Sequence, residues 1–191
     1  MQTIDYEQLL EVSRELDAEK PYLELIDGVE IPRVSPLRRH GRLEHEFMKL
    51  FEVWAEERGG EFSSEWRFWV VPGGEHKSSL VPDVAYISAE RSDTLDDLQL
   101  EIPPLSPDIA IEIRSPDDRL RNIQRKIELY LANGTKLVLD VNPESRSITA
   151  HDGVRVRTFA EADRFEHPAA PGLTFEVGAL FAAAERRRRK A

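Results

Sequence analysis

The fold is decided by residues 107–116, which read Pro107-Asp108-Ile109-Ala110-Ile111-Glu112-Ile113-Arg114-Ser115-Pro116. Between the two prolines the run is short, β-branched and strongly apolar, which is typical of a strand buried on both faces. Glu112 interrupts this run, and a buried carboxylate costs on the order of several kcal/mol unless it is paired or bound to a metal. Glu112 is therefore either part of a functional site or a structural acid held by Arg114 or a backbone amide.

The composition of the chain limits the class of protein to which it can belong. Its 191 residues are enough for one domain with a sizeable core, so we expect a single domain over residues 1–191. The absence of cysteine excludes disulfides, thiolate chemistry and cysteine-based zinc sites. We expect no membrane span, because no apolar run approaches 18 residues, and no secretory signal, because the N-terminus lacks a charged and then apolar stretch. A cytoplasmic location is consistent with these features.

The charge is acidic and unevenly distributed. The chain has 26 Lys and Arg against 36 Asp and Glu, a net charge of −10. Residues 186–191 form a basic tail that we expect to be flexible, and residues 185–191 together hold five cations and one acid. The remainder has 21 cations against 35 acids, a net charge of −14. Such a body binds nucleic acid poorly without specific contacts, because attraction to phosphate dominates non-specific affinity.

The first half of the chain predicts a helix, a hairpin, a second helix and two strands. Residues 1–20 predict a short helix, and Asp27-Gly28 predicts the tight turn of a hairpin over residues 22–31. An apolar stripe predicts an amphipathic helix over residues 40–58, with His40 at its entrance. Residues 62–71 and 80–87 predict strands, and residues 89–106 predict an acidic, solvated loop.

A helix is predicted after the strand that contains Glu112. Ser115-Pro116-Asp117-Asp118 resembles a capped helix start and Asn133-Gly134 a helix stop, so the helix is expected over residues 118–132. Lys126 and Tyr130 lie one turn apart on it. Beyond it the pattern predicts strands over residues 136–141, 147–151 and 154–159 and a closing helix over residues 175–185.

Three of these residues form a constellation with metal chemistry. Asp83 follows Pro82 at a strand entrance, Glu112 comes 29 positions later on a buried strand, and Lys126 follows after another 14 on the next helix. Two acids on consecutive strands suit a hard divalent cation such as Mg²⁺. Such an ion polarises a phosphoryl oxygen and activates water, while a lysine offsets charge. Taken singly, Asp83 resembles a turn residue and Lys126 a solvated one.

The ordered motifs resemble the Uma-type restriction endonuclease family of the PD-(D/E)XK nuclease superfamily. The resemblance covers roughly residues 20–182 and rests on the following segments: Glu24-Leu-Ile-Asp-Gly28, His40 with Leu43, Phe47 and Phe51, Val81-Pro-Asp-Val-Ala85, Pro107–Pro116, Lys126-x-x-x-Tyr130, Leu139-Asp-Val-Asn-Pro143, and Pro171-Gly-Leu173 with Leu180-Phe181. Each motif alone is unspecific; their order along the chain carries the likeness.

The resemblance implies an α/β (α+β) fold, with a restriction-endonuclease-like mixed β-sheet core flanked by helices and preceded by an N-terminal hairpin. It implies an endodeoxyribonuclease that hydrolyses DNA phosphodiester bonds with Mg²⁺ or Mn²⁺. Asp83 and Glu112 correspond to the metal-binding acids. Arg114 occupies the position of the final lysine, a departure from the pattern, because arginine stays protonated and can clamp a phosphate but cannot act as a base.

The lysine role falls on Lys126 in this reading, with His40, Arg114 and Tyr130 as supporting residues. DNA is the expected substrate, and a homodimer is a candidate assembly. Two alternatives stay open: a nuclease fold that no longer cuts and serves as a binding or accessory module, and a structural domain whose acids form ordinary ion pairs. The basic tail is either an electrostatic attachment to nucleic acid or a frayed terminus.

Overall fold

The computed structural model describes residues 5–19, 22–33, 36–74, 76–186. Its elements in chain order are α1 (Tyr6–Leu16), β1 (Leu23–Ile26), β2 (Val29–Pro32), α2 (Arg38–Glu56), β3 (Glu61–Ser64), β4 (Phe68–Val71), β5 (Ser78–Leu80), β6 (Val84–Ile87), α3 (Ala89–Ser92), α4 (Asp97–Glu101), β7 (Ile109–Ile113), α5 (Leu120–Ala132), β8 (Leu137–Asn142), β9 (Ser147–His151), β10 (Val156–Phe159), β11 (Arg164–Phe165), β12 (Phe175–Glu176) and α6 (Val177–Glu185). Most of the basic tail, residues 187–191, lies outside the described residues.

A six-stranded mixed sheet forms the centre of the fold, in the order β10-β9-β8-β7-β6-β3. Only β7 and β8 pair in parallel; the other neighbours in this sheet are antiparallel. The parallel pair requires a crossover, which α5 supplies. A four-stranded sheet in the order β2-β1-β5-β4 contains the N-terminal hairpin. The expected mixed sheet with an N-terminal hairpin is therefore confirmed.

Helices cover both faces of the central sheet, and the side chains of β7 alternate between these two faces. Its odd-numbered residues Ile109, Ile111 and Ile113 pack in one apolar cluster with residues of α2 and α6. Ala110 packs in the other cluster, with residues of α5 and the four-stranded sheet. Because side chains alternate along a strand, Glu112 falls on the α5 face. The sheet thus presents this carboxylate to α5.

Two segments that the sequence pattern predicts as single strands are each split between the two sheets. In residues 62–71 the left-handed backbone of Glu65, φ +49°, ends β3, and β4 joins the other sheet. In residues 80–87 the break falls at Val81-Pro82-Asp83, where Pro82 has no N–H for a ladder. Asp83 is consequently the residue at which the chain enters β6.

Two local predictions are also wrong. Residues 89–106 contain two short helices, α3 and α4, and a capping box between Asp96 and Gln99 starts the second. Helix α5 begins at Leu120, two residues later than predicted, and its N-cap Arg119 makes no side-chain cap. Asp118 instead accepts a 2.5 Å hydrogen bond from the Ser115 N–H in the preceding turn. The loop after β7 therefore forms its own hydrogen-bonded turn before α5 begins.

Candidate active site

Glu112 lies at the end of β7 against the apolar face of α5. The Lys126 Nζ donates to its Oε2 at 2.6 Å, and the Tyr130 hydroxyl donates to its Oε1 at 2.9 Å. Lys126 and Tyr130 are four residues apart, so both point from one face of the helix. All three side chains are buried. Lys126 thus reaches Glu112 and does not extend into solvent.

Asp83 is held beside Glu112 by the two residues that flank Glu112 on β7. Its backbone N–H donates to the Ile111 carbonyl at 3.0 Å, and its Oδ2 accepts from the Ile113 N–H at 2.6 Å. The carboxylate thus replaces a backbone carbonyl as the partner of Ile113 at the place just before β6 begins. The structure brings the side chains of Asp83, Glu112 and Lys126 together in the wall of one cavity of about 300 Å³.

His40, in the first turns of α2, lies at the same cavity. Its Nε2 is 3.0 Å from the Asp83 Oδ1, and its Nδ1 is 3.3 Å from the Ser115 Oγ. Burial alone would lower the pKa of His40, but the hydrogen bond and charge of Asp83 outweigh burial and raise it. The reverse holds for Asp83. Burial raises its pKa and His40 lowers it, and the net shift is a lowering. The two groups therefore favour an imidazolium–carboxylate pair.

Two further charged residues of the cavity had no chemical role assigned from the sequence. Glu24 on β1 is buried; its Oε1 accepts from the Val81 N–H at 2.7 Å and lies 2.9 Å from the Lys126 Nζ. Arg33, just after β2, has an Nη2 3.5 Å from the Asp83 Oδ1. The signal for Glu24 resembled that for Glu112, since both are acids within apolar strand segments.

Lys126 is thus shared between two carboxylates, and this sharing sets the electrostatics of the site. Burial would lower the pKa of Lys126, but the charges of Glu112 and Glu24 outweigh burial and raise it. For Glu112, burial and then the charges of Glu24 and Asp83 outweigh the attraction of Lys126 and raise its pKa to about 8. Lys126 consequently remains a cation, while Glu112 readily holds a proton.

Arg114 does not join this site. Its guanidinium makes a bidentate pair with Asp140 on β8, Nε to Oδ1 at 2.7 Å and Nη2 to Oδ2 at 2.5 Å. Arg114 does not line the cavity that contains Asp83 and Glu112. The reading in which it holds Glu112 is wrong, because its guanidinium pairs with Asp140. A supporting role for Arg114 toward a phosphate stays a prediction. Arg114 follows the end of β7, and the carboxylate that its guanidinium meets there is that of Asp140 on β8.

Asp83 and Glu112 are the carboxylates of this cavity that could hold a hard divalent cation. Within the described residues no three or more His, Cys, Asp or Glu groups are arranged to hold a metal ion. Mg²⁺ is commonly bound through one or two carboxylates together with water and substrate oxygens. Five carboxylates and three Lys or Arg side chains line the cavity. This excess of negative charge favours a cation over a bare phosphate.

Within the described part of the chain, no helix is long and apolar enough to cross a membrane.

Comparison with known proteins identifies the family. A family model described as "Uma2: Putative restriction endonuclease" matches residues 5–178. A crystal structure described as "a putative nuclease belonging to DUF820 from Anabaena variabilis ATCC 29413" has a TM-score of 0.76 and 21% identity, and covers 87% of this chain and 93% of that one. At this identity the likeness shows the fold alone. No curated protein matches the chain. Since the family model spans most of the sequence, the protein belongs to the Uma2 restriction endonuclease family.

Proposed function

We propose that this protein is a metal-dependent endonuclease of the PD-(D/E)XK type that hydrolyses DNA phosphodiester bonds. One observation carries the proposal: Asp83 at the entrance to β6, Glu112 on β7 and Lys126 on α5 line one cavity with their side chains buried. Burying two acids beside a third, Glu24, is costly for stability and is typical of sites arranged for chemistry. Membership of the Uma2 family supports nucleic acid as the substrate.

Asp83 and Glu112 would hold Mg²⁺ or Mn²⁺, which when bound supplies a Lewis acid for the phosphate and lowers the pKa of a water. Lys126 stays protonated between Glu112 and Glu24, so it donates hydrogen bonds and offsets negative charge that develops on the phosphate. It does not act as a base. The lysine role thereby falls on α5, and the arginine at the usual lysine position is free to pair elsewhere.

The supporting residues hold the two acids in place. His40 bridges Asp83 and Ser115 through its two ring nitrogens, which fixes the orientation of the Asp83 carboxylate. Tyr130 donates to Glu112, and burial together with the charge of Glu112 raises the pKa of its hydroxyl well above the ordinary value. Tyr130 therefore serves as a hydrogen-bond donor to Glu112 and not as a proton acceptor.

A second candidate function is a nuclease fold that binds nucleic acid without cutting it. The observation in its favour is that both oxygens of Glu112 already accept hydrogen bonds and that its pKa of about 8 favours the protonated form at neutral pH. A protonated carboxyl is a poor ligand for Mg²⁺.

The two candidates are separated by a cleavage assay on closed circular DNA, linear duplex, single-stranded DNA and RNA, with Mg²⁺, Mn²⁺ or a chelator. We expect metal-dependent internal cuts in DNA. Asp83→Asn should lower the rate on the order of 10²–10³-fold, because it removes a charged group from the reaction centre. Asp93→Asn, an exposed acid after α3, is the matched control.

Equal rates for the wild type and Asp83→Asn would exclude this site as the source of cleavage. Binding of DNA without cleavage under any metal would favour the binding module.

A further inference from the structure

A second cavity of about 300 Å³ adjoins the candidate active site. It lies between the start of α2, the loop from β7 to α5, and the turn after β8. His40, Ser115, Asp118 and Ile123 line both cavities, so these four side chains form the wall between them. A molecule bound at Asp83 and Glu112 therefore has a neighbouring space within reach of its next chemical group.

The two cavities differ in the charge that they present. The cavity at Asp83 and Glu112 has two more carboxylates than Lys and Arg side chains. In the second cavity, the two arginines Arg39 and Arg114 are balanced by Asp118 and Glu144. Both arginines also pair with carboxylates outside its lining, Glu185 and Asp140. The second cavity therefore suits a neutral group better than another phosphate.

Apolar side chains line much of this space. Leu37 precedes α2 and Leu120 begins α5, and each is 59% exposed. Pro116, Ile123 and Pro143 complete the apolar lining. Together with the other apolar side chains of this lining, the two exposed leucines offer apolar contact surface beside the candidate active site. The volume is at the small end of ligand pockets, about 300–1,000 Å³, which suits a single ring system.

One hydrogen-bonding group is prepared in the lining. The Asn142 Oδ1 accepts from the backbone N–H groups of Glu144 and Ser145, at 2.9 Å and 3.3 Å. With its oxygen engaged, the side chain presents the amide nitrogen as a donor. Every nucleobase has ring or carbonyl acceptors on its edges. A neutral, flat, apolar-faced group with acceptors at its edge matches this lining.

We propose that the second cavity holds one unpaired nucleobase of the strand, adjacent to the phosphate that lies at Asp83 and Glu112. Leu37 and Leu120 contact its faces and Asn142 donates to its edge. The proposal rests on the proposed function, since it takes the first cavity as the phosphate site. It predicts that the protein prefers single-stranded or locally unpaired DNA, because a base in a duplex must leave its stack to enter.

The test compares a fluorescein-labelled single-stranded oligonucleotide with an abasic tetrahydrofuran strand of equal length. Binding is measured by fluorescence anisotropy for the wild type and for the double variant Leu37→Ala/Leu120→Ala. We expect the wild type to bind the base-containing strand about tenfold more tightly, in keeping with the apolar area of one base face buried against the two leucines. The double variant should lose this difference and leave abasic binding unchanged. Val53→Ala, 70% exposed on α2 and outside both cavities, is the matched control.

Leu120→Phe supplies a second arm that does not depend on loss of function. A ring at this position should stack on the base, and binding of the base-containing strand should be kept or strengthened. Unchanged base preference in the double variant would overturn the proposal. Cleavage of both strands is followed in parallel: base-dependent binding without cleavage would contradict the proposed nuclease activity and leave the base site standing.

Discussion

Strand β7 has a buried acid at each end, and the two acids differ in nearly every other respect. Asp108 immediately precedes the strand and Glu112 is its fourth residue. Asp108 is 2% exposed and Glu112 is 8% exposed, so burial does not separate them. What separates them is the number and placement of the cations around each carboxylate.

Asp108 has its own partners. Its Oδ2 accepts from the Ser88 N–H at 2.8 Å, and the Lys136 Nζ lies 2.8 Å from its Oδ1 with a side chain 55% exposed to water. Arg91 lies 3.4 Å from the Oδ2. Burial raises the pKa of Asp108, but Lys136, Ser88 and Arg91 outweigh burial and lower it. This acid is an ordinary structural ion pair that ties β7 to the neighbouring segments.

Among the described residues, Lys126 is the cation that pairs with Glu112, and it is buried and shared with Glu24. The pKa of Glu112 is consequently raised instead of lowered. The comparison teaches that burial of an acid does not by itself mark a reactive site. The candidate marker is a buried carboxylate cluster that is left short of positive charge, which is the environment that raises the pKa of Glu112.

The largest expected difference between the two acids of β7 appears when the lysine that pairs with each of them is removed. Lys126→Met leaves Glu24 and Glu112 buried without a cation and should lower the free energy of unfolding by about 3 kcal/mol or more. Lys136→Met removes a partner that is half in water and should cost less than about 1 kcal/mol. Urea denaturation of both variants measures the difference. Equal losses would show that the two ends are electrostatically alike.

Neutralising the acids should separate activity from stability. Glu112→Gln should lower the cleavage rate on the order of 10²–10³-fold, as expected for loss of a charged group at the reaction centre. Its melting temperature should stay equal or rise, because a buried acid with a raised pKa is removed. Asp108→Asn should do the opposite, with a lower melting temperature and an unchanged rate. A large loss of rate in Asp108→Asn would contradict the division.

The pH dependence of stability should have opposite signs at the two ends. The folded pKa of Glu112, about 8, exceeds its ordinary 4.5, so its stabilisation is complete below that value and is lost as the pH rises through 8. The folded pKa of Asp108 lies below its ordinary 3.8, so its stabilisation is present above that value and is lost as the pH falls.

Each slope is at most about 1.4 kcal/mol per pH unit. The free energy of unfolding is measured from pH 3 to pH 9. Its fall near neutral pH (the neutral limb) should disappear in Glu112→Gln, and its fall at acid pH (the acid limb) should disappear in Asp108→Asn. An unchanged neutral limb in Glu112→Gln would mean that another group titrates there.

The smallest expected effect concerns Glu24, which acts on the site through Lys126 and Glu112. In Glu24→Gln one negative charge near Glu112 is lost, so the pKa of Glu112 falls and the pH–rate profile should shift to lower pH. The rate at the optimum should fall by less than about tenfold, because Lys126 keeps Glu112 as a partner. Glu128→Gln, an exposed acid on α5, is the control. An unshifted profile would reduce Glu24 to a purely structural residue.

Local patterns in the sequence were enough for the main elements of the site. The apolar run around Glu112 predicts a buried strand, and the spacing of Lys126 and Tyr130 predicts one helical face; the structure agrees with both. These predictions succeed because strand and helix periodicities are local properties of the chain. The division of residues 62–71 and 80–87 between two sheets was missed, because sheet membership depends on partners distant in sequence.

What the sequence by itself determined is therefore the strand that contains Glu112, the helix that contains Lys126, and the entry of Asp83 into the sheet after Pro82. Only the tertiary structure decided that Glu24 shares Lys126, that His40 and Arg33 meet Asp83, and that Arg114 turns to Asp140. The physical reason is that the cost of a buried charge depends on every charge around it. Those neighbours, such as Glu24 and Lys126, are brought together by sheet and helix packing and not by their spacing along the chain.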